Sequence, residues 1–329
     1  MSRLSPLSLA VGALVLVGLG ASGVAVAEAL PPSCEPAATA GKASSLVRSP
    51  ANPLEVGQPP EAFFPTPLKT SGTEISVVQA GSGPVATEGS AIDFQVAVYL
   101  GNNGQFITGS SFDPAEPIRR IASTEGVDFF AKALLCQSAG SRVVMTAPLG
   151  DVFGPIAEDE LVQNSSTVVL VVDVANVYLA EPTGRSMPLT RNLPHVVQAP
   201  TGEHGISFPM APAPEELSVS VLIEGDGPRL ADGDNVVVHF TGVSWQSRQV
   251  FSTSFEQGVP VTLGLTDGSV EGASGGVISG VYEALLGKSV GSRVIAVIPP
   301  EWGYPEGSEP PGAAPGSTLV YVFDILGIE

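Results

Sequence analysis

The sequence predicts an α+β protein made of two copies of one domain, each an antiparallel sheet wrapped around one short helix. Three observations carry that expectation. Residues 133–174 align without a gap onto residues 284–325 at a constant offset of 151, with fifteen of the 42 columns identical. The match resumes upstream at an offset of 144, where Gly81-Ser82-Gly83-Pro84 meets Gly225-Asp226-Gly227-Pro228. Self-similarity of that extent marks a duplicated unit. Within the second unit, residues 235–243 alternate around Val236, Val238 and Phe240, residues 293–298 are rich in β-branched side chains, and residues 318–326 are almost continuously apolar, which are sheet signatures. The one helical stretch is residues 277–286, where Val277, Val281, Ala284 and Leu285 share a face and Gly287 offers a C-terminal stop. A sheet of four to six antiparallel strands burying a single helix is an α+β domain with one core.

The two copies run from about 74 to 179 and from 214 to 329. Ahead of them, Arg3 and an apolar run over residues 7–26 close on Ala25-Val26-Ala27, the layout of an export signal cleaved after Ala27. Gly18, Gly20 and Gly23 argue against reading the same run as a membrane anchor, and no other stretch is long and apolar enough to span a bilayer. Gly18-Leu19-Gly20-Ala21-Ser22-Gly23 fits a dinucleotide fingerprint by spacing, but lacks the strand before it and the acidic residue behind it. Residues 28–73, with Pro31, Pro32, Pro50, Pro53, Pro59 and Pro60, and residues 180–213, with Pro182, Pro188, Pro194, Pro200, Pro209 and Pro212, read as proline-rich linkers, the second extended and fairly stiff.

Charge and composition remove several function classes. The formal net charge is −19, and −20 once Arg3 leaves with the signal, which argues against a nucleic-acid partner. Membrane contact is expected only through the signal. Cys34 and Cys136 are expected to pair, since the chain is read as exported. Two cysteines and the scattered His195, His204 and His239 give no metal spacing, so the histidines are read as structural and no metal or other cofactor is expected. No heptad or apolar stripe suggests self-association, and a monomer is the default.

Val236-Val237-Val238-His239-Phe240-Thr241-Gly242, Gly276-Val277-Ile278-Ser279-Gly280 and Ile298-Pro299-Pro300-Glu301-Trp302-Gly303-Tyr304 occur in order, followed by Gly316-Ser317-Thr318-Leu319-Val320-Tyr321. Over residues 218–329 the chain resembles the FKBP-type peptidyl-prolyl cis-trans isomerases. The whole layout is similar to secreted tandem FKBP-like proteins. The resemblance implies two FKBP-like domains and a site in the second. Phe240, Phe251 and Tyr321 match the aromatic walls, Ile278 the backbone N–H that holds a substrate carbonyl, and Tyr304 the tyrosine whose hydroxyl bonds the ligand. Ser252, Val261, Val277, Val281, Ala313 and Ala314 match further substrate-binding positions.

The sequence departs from the family's pattern at several of these. Ser252 stands where an aspartate is usual, Val281 where tryptophan is frequent, and Ala313 and Ala314 where bulky aliphatics cap the site. These departures imply modest efficiency and weak binding of FK506-like macrolides. In the first copy the matching positions are Val96 for Phe240, Thr108 for Phe251, Gly109 for Ser252 and Leu170 for Tyr321, with Phe153 opposite Tyr304. That copy is expected to be degenerate.

Such a site suits the chemistry. Rotation about an X-Pro bond faces a barrier of about 18–20 kcal/mol because the planar amide is resonance-stabilised. The twisted form has lost resonance and charge separation, so a dry apolar cleft favours it over the planar form without a nucleophile, an acid–base pair or a metal. The expected function is therefore peptidyl-prolyl isomerisation of proline-containing polypeptides during folding of exported proteins. A non-enzymatic proline-peptide-binding or chaperone module is the alternative.

Overall fold

The central strands of this protein carry apolar residues on both faces, and the fold follows from how those faces are covered. The structure is a computed structural model that describes residues 34–50, 57–155, 163–188, 190–269, 276–304 and 308–329. The expected export signal lies outside the described residues.

Six strands, β1 (Glu74–Gln79), β2 (Ala91–Leu100), β3 (Phe106–Gly109), β4 (Ile118–Ile121), β5 (Arg142–Pro148) and β6 (Thr167–Val177), form an antiparallel sheet in the order β1-β5-β6-β2-β3, with β4 also paired to β2. Two five-residue helices accompany them, α1 (Phe129–Ala133) and α2 (Leu149–Phe153), where one was expected. Asp128 caps α1 by accepting from the N–H groups of Phe130 and Ala131. One sheet face buries Phe94, Val98, Met145 and Leu170 beside Leu134.

The opposite face, with Ala97, Tyr99, Val144, Val169 and Val171, is covered by Ala43, Val47, Leu68, Ala62 and Phe64. Residues 28–73 are therefore not a structureless linker where the chain is described. A one-turn 3-10 helix (Ser44–Leu46) and a bridge between Arg48 and Phe63 shape the cover, and Tyr99 Oη donates to the Pro60 carbonyl at 2.5 Å. The physical reason lies in β2, whose ten residues are all buried. A strand buried on both sides needs a second layer, and a proline-rich segment can supply apolar side chains without regular structure. A disulfide between Cys34 and Cys136 ties this cover to the loop after α1 across 102 residues. Reduction, or paired serine substitution, is expected to cost about 2–4 kcal/mol of stability. Urea unfolding with and without reductant measures it, and an unchanged midpoint would contradict the tether.

The same plan recurs after residue 180. Strands β7 (Arg185–Ser186), β10 (Ser218–Glu224), β11 (Asn235–Ser244), β12 (Val250–Thr253), β13 (Val261–Gly264), β14 (Arg293–Ile298) and β15 (Leu319–Ile328) form a second antiparallel sheet, ordered β12-β11-β15-β14-β10-β7 with β13 on β11. Apart from β7, its strand order repeats that of the first sheet. Residues 180–213 are not an extended spacer either. They supply β7 to the sheet edge and a hairpin of β8 (His195–Gln198) and β9 (His204–Ser207), and Leu193, Val196, Ile206 and Phe208 cover Trp245, Ile295, Val297, Val320 and Val322.

Each sheet anchors its cover through one buried arginine. Arg142 binds Asp173 through Nε at 2.6 Å and also donates to the Pro50 carbonyl. Arg293 binds Asp324 through Nε at 2.5 Å and Nη2 at 2.7 Å, and reaches Gln198 Oε1 at 3.2 Å. The two sheets also touch directly, through Ala91, Tyr178, Val237 and Leu326. At that contact Arg119 bridges Asp93 at 2.6 Å and Glu329 at 2.6 Å.

The helix expected over residues 277–286 is α3 (Ser279–Leu285), ending at Gly287 in the left-handed region, φ 71°. It packs Val281, Ala284 and Leu285 onto the inner face of the second sheet. Gly280 lets it start close to β14, since a Cβ there would lie 2.4 Å from Ile298 Cγ2 and 2.9 Å from the Trp302 carbonyl oxygen.

Candidate functional site

On β11 the inward positions run Val236, Val238, Phe240, and the next is Gly242, which has no side chain. The gap at Gly242 is what makes room for a site. A Cβ there would lie 2.7 Å from Phe251 Cζ and 2.9 Å from Tyr321 Cε1, so both rings lie directly over the glycine. Tyr321 stands opposite Gly242 in the β11–β15 ladder, and Phe323 opposite Phe240.

The rings brace one another. Tyr321 stacks on Phe323 with centroids 5.4 Å apart, and Phe251 meets Tyr321 edge-on at 5.5 Å. Phe240 lies 6.1 Å from both Tyr321 and Phe323. Burial pushes the Tyr321 phenol well above its usual pKa, with further upward contributions from Tyr304, so it is neutral at any physiological pH.

Above these rings is a cleft of about 270 Å³ lined by Phe240, Phe251, Ser252, Leu263, Gly276, Val277, Ile278, Val281, Tyr304, Pro310, Tyr321 and Phe323. None of those side chains is charged. A wider groove, about 900 Å³, shares Gly276, Val277, Ile278 and Tyr304 with the cleft and continues past Glu301 and Glu309.

Tyr304 and Ile278, both among the lining residues, carry the polar groups that matter most here. The Tyr304 hydroxyl lies 3.1 Å from the Tyr321 hydroxyl. Ile278 is the extended residue before α3, φ −62° and ψ 150°, and its carbonyl accepts from Val281 and Tyr282. Its neighbour Val277 is pinned by backbone bonds to Thr266 and Gly268, at 3.0 and 2.9 Å. Among the described residues the Ile278 N–H has no acceptor. An extended cap leaves such an N–H outside the helix ladder.

Of the residues expected at the site, Phe240, Phe251, Ser252, Val277, Ile278, Val281, Tyr304 and Tyr321 come together in the cleft. Val261, Ala313 and Ala314 do not line it. Val261 pairs with Val238 and packs into the core. The Ala313 N–H bonds the Pro310 carbonyl at 3.0 Å, and this turn presents Pro310 to the cleft while Ala314 is exposed. Sequence reasoning missed Leu263, Gly276, Pro310 and Phe323. Period-two alternation would have found two of them, because Phe323 follows Tyr321 by two and Leu263 follows Val261 by two.

Among the described residues, the first sheet lacks this arrangement. Its ladder pairs Ala97 with Gly109 and Val98 with Thr108, as Thr241 pairs with Thr253 and Gly242 with Ser252 in the second. Ile107 therefore occupies the place of Phe251, and Thr108 that of Ser252, one residue away from the sequence-based matching. Ile107 is 44% exposed and Phe153 is 47% exposed, so neither builds a wall. Phe130, at the place of Val281, packs on Phe94 with centroids 5.1 Å apart.

Next to the cleft, His239 faces the other side of β11, stacked on Phe255 at 4.4 Å with Nδ1 2.8 Å from Ser254 Oγ. Burial lowers its pKa to about 4 from the ordinary 6.5, with the Asp324 charge opposing and His204 adding to the shift. The unfolded chain thus takes up this proton first. Its stabilising contribution is complete above about pH 6.5 and is lost as pH falls towards 4. With the ring partly exposed, about 1–2 kcal/mol is expected. His239→Gln should flatten the dependence of the urea midpoint over that pH interval, and a curve parallel to wild type would contradict the assignment.

A family model described as FKBP-type peptidyl-prolyl cis-trans isomerase matches residues 227–326. The "Probable FK506-binding protein" of Corynebacterium glutamicum is 36% identical over 122 residues, which are 37% of this chain and 94% of that protein. The "FK506-binding protein" of Streptomyces anulatus is 32% identical over 124 residues, again 37% and 94%. The crystal structure of FkpA from Escherichia coli aligns at 30% identity with a TM-score of 0.30, covering 41% of this chain and 51% of that one.

Proposed function

The chain belongs to the FKBP-type peptidyl-prolyl cis-trans isomerase family, and we propose that it twists X-Pro bonds in the cleft of the second sheet. The observation that carries this reading is an uncharged cleft walled by Phe240, Phe251, Tyr304, Tyr321 and Phe323, with the Ile278 N–H left without an acceptor among the described residues. In this reading the proline ring seats among the aromatic side chains. The Ile278 N–H donates to one substrate carbonyl and the Tyr304 hydroxyl orients another. The planar ground state loses hydration on entering and the twisted transition state loses less, which lowers the barrier.

We read residues 74–179 and 214–329 as two copies of one domain, on the strength of their common strand order and the internal repeat. Only the second copy is catalytic in this account, since Val96, Ile107 and Leu170 provide no aromatic walls. The cover segments belong to the domains they pack on, so the first copy extends to include residues 34–73. Export is supported by the apolar N-terminal run and by a disulfide, which persists outside the reducing cytosol. The substrates are then proline-containing segments of other exported polypeptides. FK506-like macrolides are expected to bind weakly, because Val281 and Ser252 offer a small base and no carboxylate.

A protease-coupled isomerisation assay on the intact chain tests which sheet works. Tyr304→Phe is expected to lower kcat/KM about three- to tenfold, the worth of one hydrogen bond of about 1 kcal/mol. Phe153→Ala, at the matching place in the first sheet, should leave it unchanged. Loss with Phe153→Ala and none with Tyr304→Phe would move the activity to the first sheet.

A further inference from the structure

The two tyrosine hydroxyls at the cleft differ in their place in the fold and in exposure. Tyr321 lies on a central strand, is 4% exposed, and its ring is held by Phe323 on one side and Phe251 at its edge. Tyr304 follows a one-turn 3-10 helix (Pro300–Trp302) on a loop and is only partly buried. The sole hydrogen bond of the Tyr321 hydroxyl among the described residues is to Tyr304 Oη, at 3.1 Å.

A buried hydroxyl proton without an acceptor is costly, whereas a phenol oxygen with an unused lone pair costs less. That asymmetry decides the direction of the bond. With Tyr321 donating and Tyr304 Oη accepting, the arrangement of lower cost, the Tyr304 proton is left free to turn towards the cleft. Donation into an oxygen also polarises its own O–H, so the outward bond is strengthened.

We propose that Tyr321 is a positioning residue for isomerisation: its fixed hydroxyl docks the loop-borne Tyr304 and sets the Tyr304 O–H as a donor to the substrate carbonyl. The inference rests on the cleft reading above, and adds to it a role for the Tyr321 hydroxyl separate from that of its ring. Burial keeps that hydroxyl protonated, so the relay has the same direction across the working pH range.

A double-mutant cycle on the intact chain tests it. Tyr321→Phe removes one oxygen and keeps the ring stack. It is expected to lower kcat/KM about three- to tenfold, as Tyr304→Phe does, with KM and kcat dividing the loss in the same proportion in both variants. The double variant should be no worse than Tyr304→Phe alone. Wild-type activity in Tyr321→Phe, or losses that multiply in the double variant, would overturn the proposal, because a merely structural role of the oxygen acts independently of Tyr304. Phe251→Ala separates the two levels. If it and Tyr304→Phe lose activity while Tyr321→Phe does not, only the positioning role fails. If none of the three changes the rate, the cleft reading fails with it.

Discussion

Asp324→Ala is expected to lower the unfolding free energy by about 3–5 kcal/mol, the usual cost of stripping one partner from a buried ion pair. Asp324 has a side chain only 5% exposed and holds Arg293, itself 7% exposed, by two hydrogen bonds. His204 Nε2 approaches the same carboxylate at 3.0 Å from the cover hairpin. Burial alone would raise the Asp324 pKa, but hydrogen bonds from Arg293 and His204 outweigh it and keep the group ionised and low. Removing the carboxylate leaves a guanidinium buried without its counter-charge and releases the hairpin at one of its polar contacts. Guanidinium chloride unfolding measures the loss. Asp173→Ala, where the carboxylate is 16% exposed, should cost less. A change below about 1 kcal/mol in Asp324→Ala would contradict the account, being what an exposed pair gives.

Phe251→Ala is expected to reduce kcat/KM about 10- to 100-fold, with a small effect on stability. A buried phenylalanine contributes about 1.5–3 kcal/mol of apolar contact, and here much of that contact is available to the bound proline ring and to the twisted amide. Phe251 is partly exposed, lies edge-on to Tyr321, and has Gly312 close above it, where an added Cβ would lie 3.2 Å from Phe251 Cβ. Its loss opens the cleft to water on the side that faces the rim, which weakens the preference for the less polar twisted state. Isomerisation kinetics of a prolyl peptide measure the effect. A variant that folds and keeps wild-type kcat/KM would remove Phe251 from the site.

Much of this was legible in the sequence because it depends on local order. Alternation around Val236, Val238 and Phe240 placed β11 and its inward face, and the antiparallel ladder sets Tyr321 of β15 opposite Gly242, the next inward position after Phe240. Spacing could not reveal how residues 34–73 and 180–213 pack. Proline content suppresses helix and strand patterns, so both segments read as linkers. The missing clue was on the other side of the contact, in the unbroken apolar run of β6 from Val168 to Val172, since a strand without alternation needs cover on two faces.

The site was legible to the same degree. Phe240, Phe251, Ser252, Val277, Ile278, Val281, Tyr304 and Tyr321 converge, whereas Val261, Ala313 and Ala314 do not. For the two alanines the reason is a single turn, because the bond from Ala313 to Pro310 decides which residue faces inward. The place of Ile107 was misjudged by one residue, although the offset of 144 that sets Val96 against Phe240 also sets Ile107 against Phe251, and both are the bulged residue of their strand, β3 and β12. Neither the contact between the Tyr321 and Tyr304 hydroxyls nor the open Ile278 N–H could be inferred from residue identity.

The measurement that tests the central claim most directly is NMR exchange spectroscopy of a short X-Pro peptide with catalytic amounts of the intact chain, beside Phe251→Ala. The account predicts that cis-trans exchange, which takes tens to hundreds of seconds unaided, becomes fast enough to give exchange cross-peaks with the wild-type chain and loses most of that acceleration in the variant. A folded wild-type chain that leaves the exchange rate at its uncatalysed value, or an acceleration that survives intact in Phe251→Ala, would contradict it.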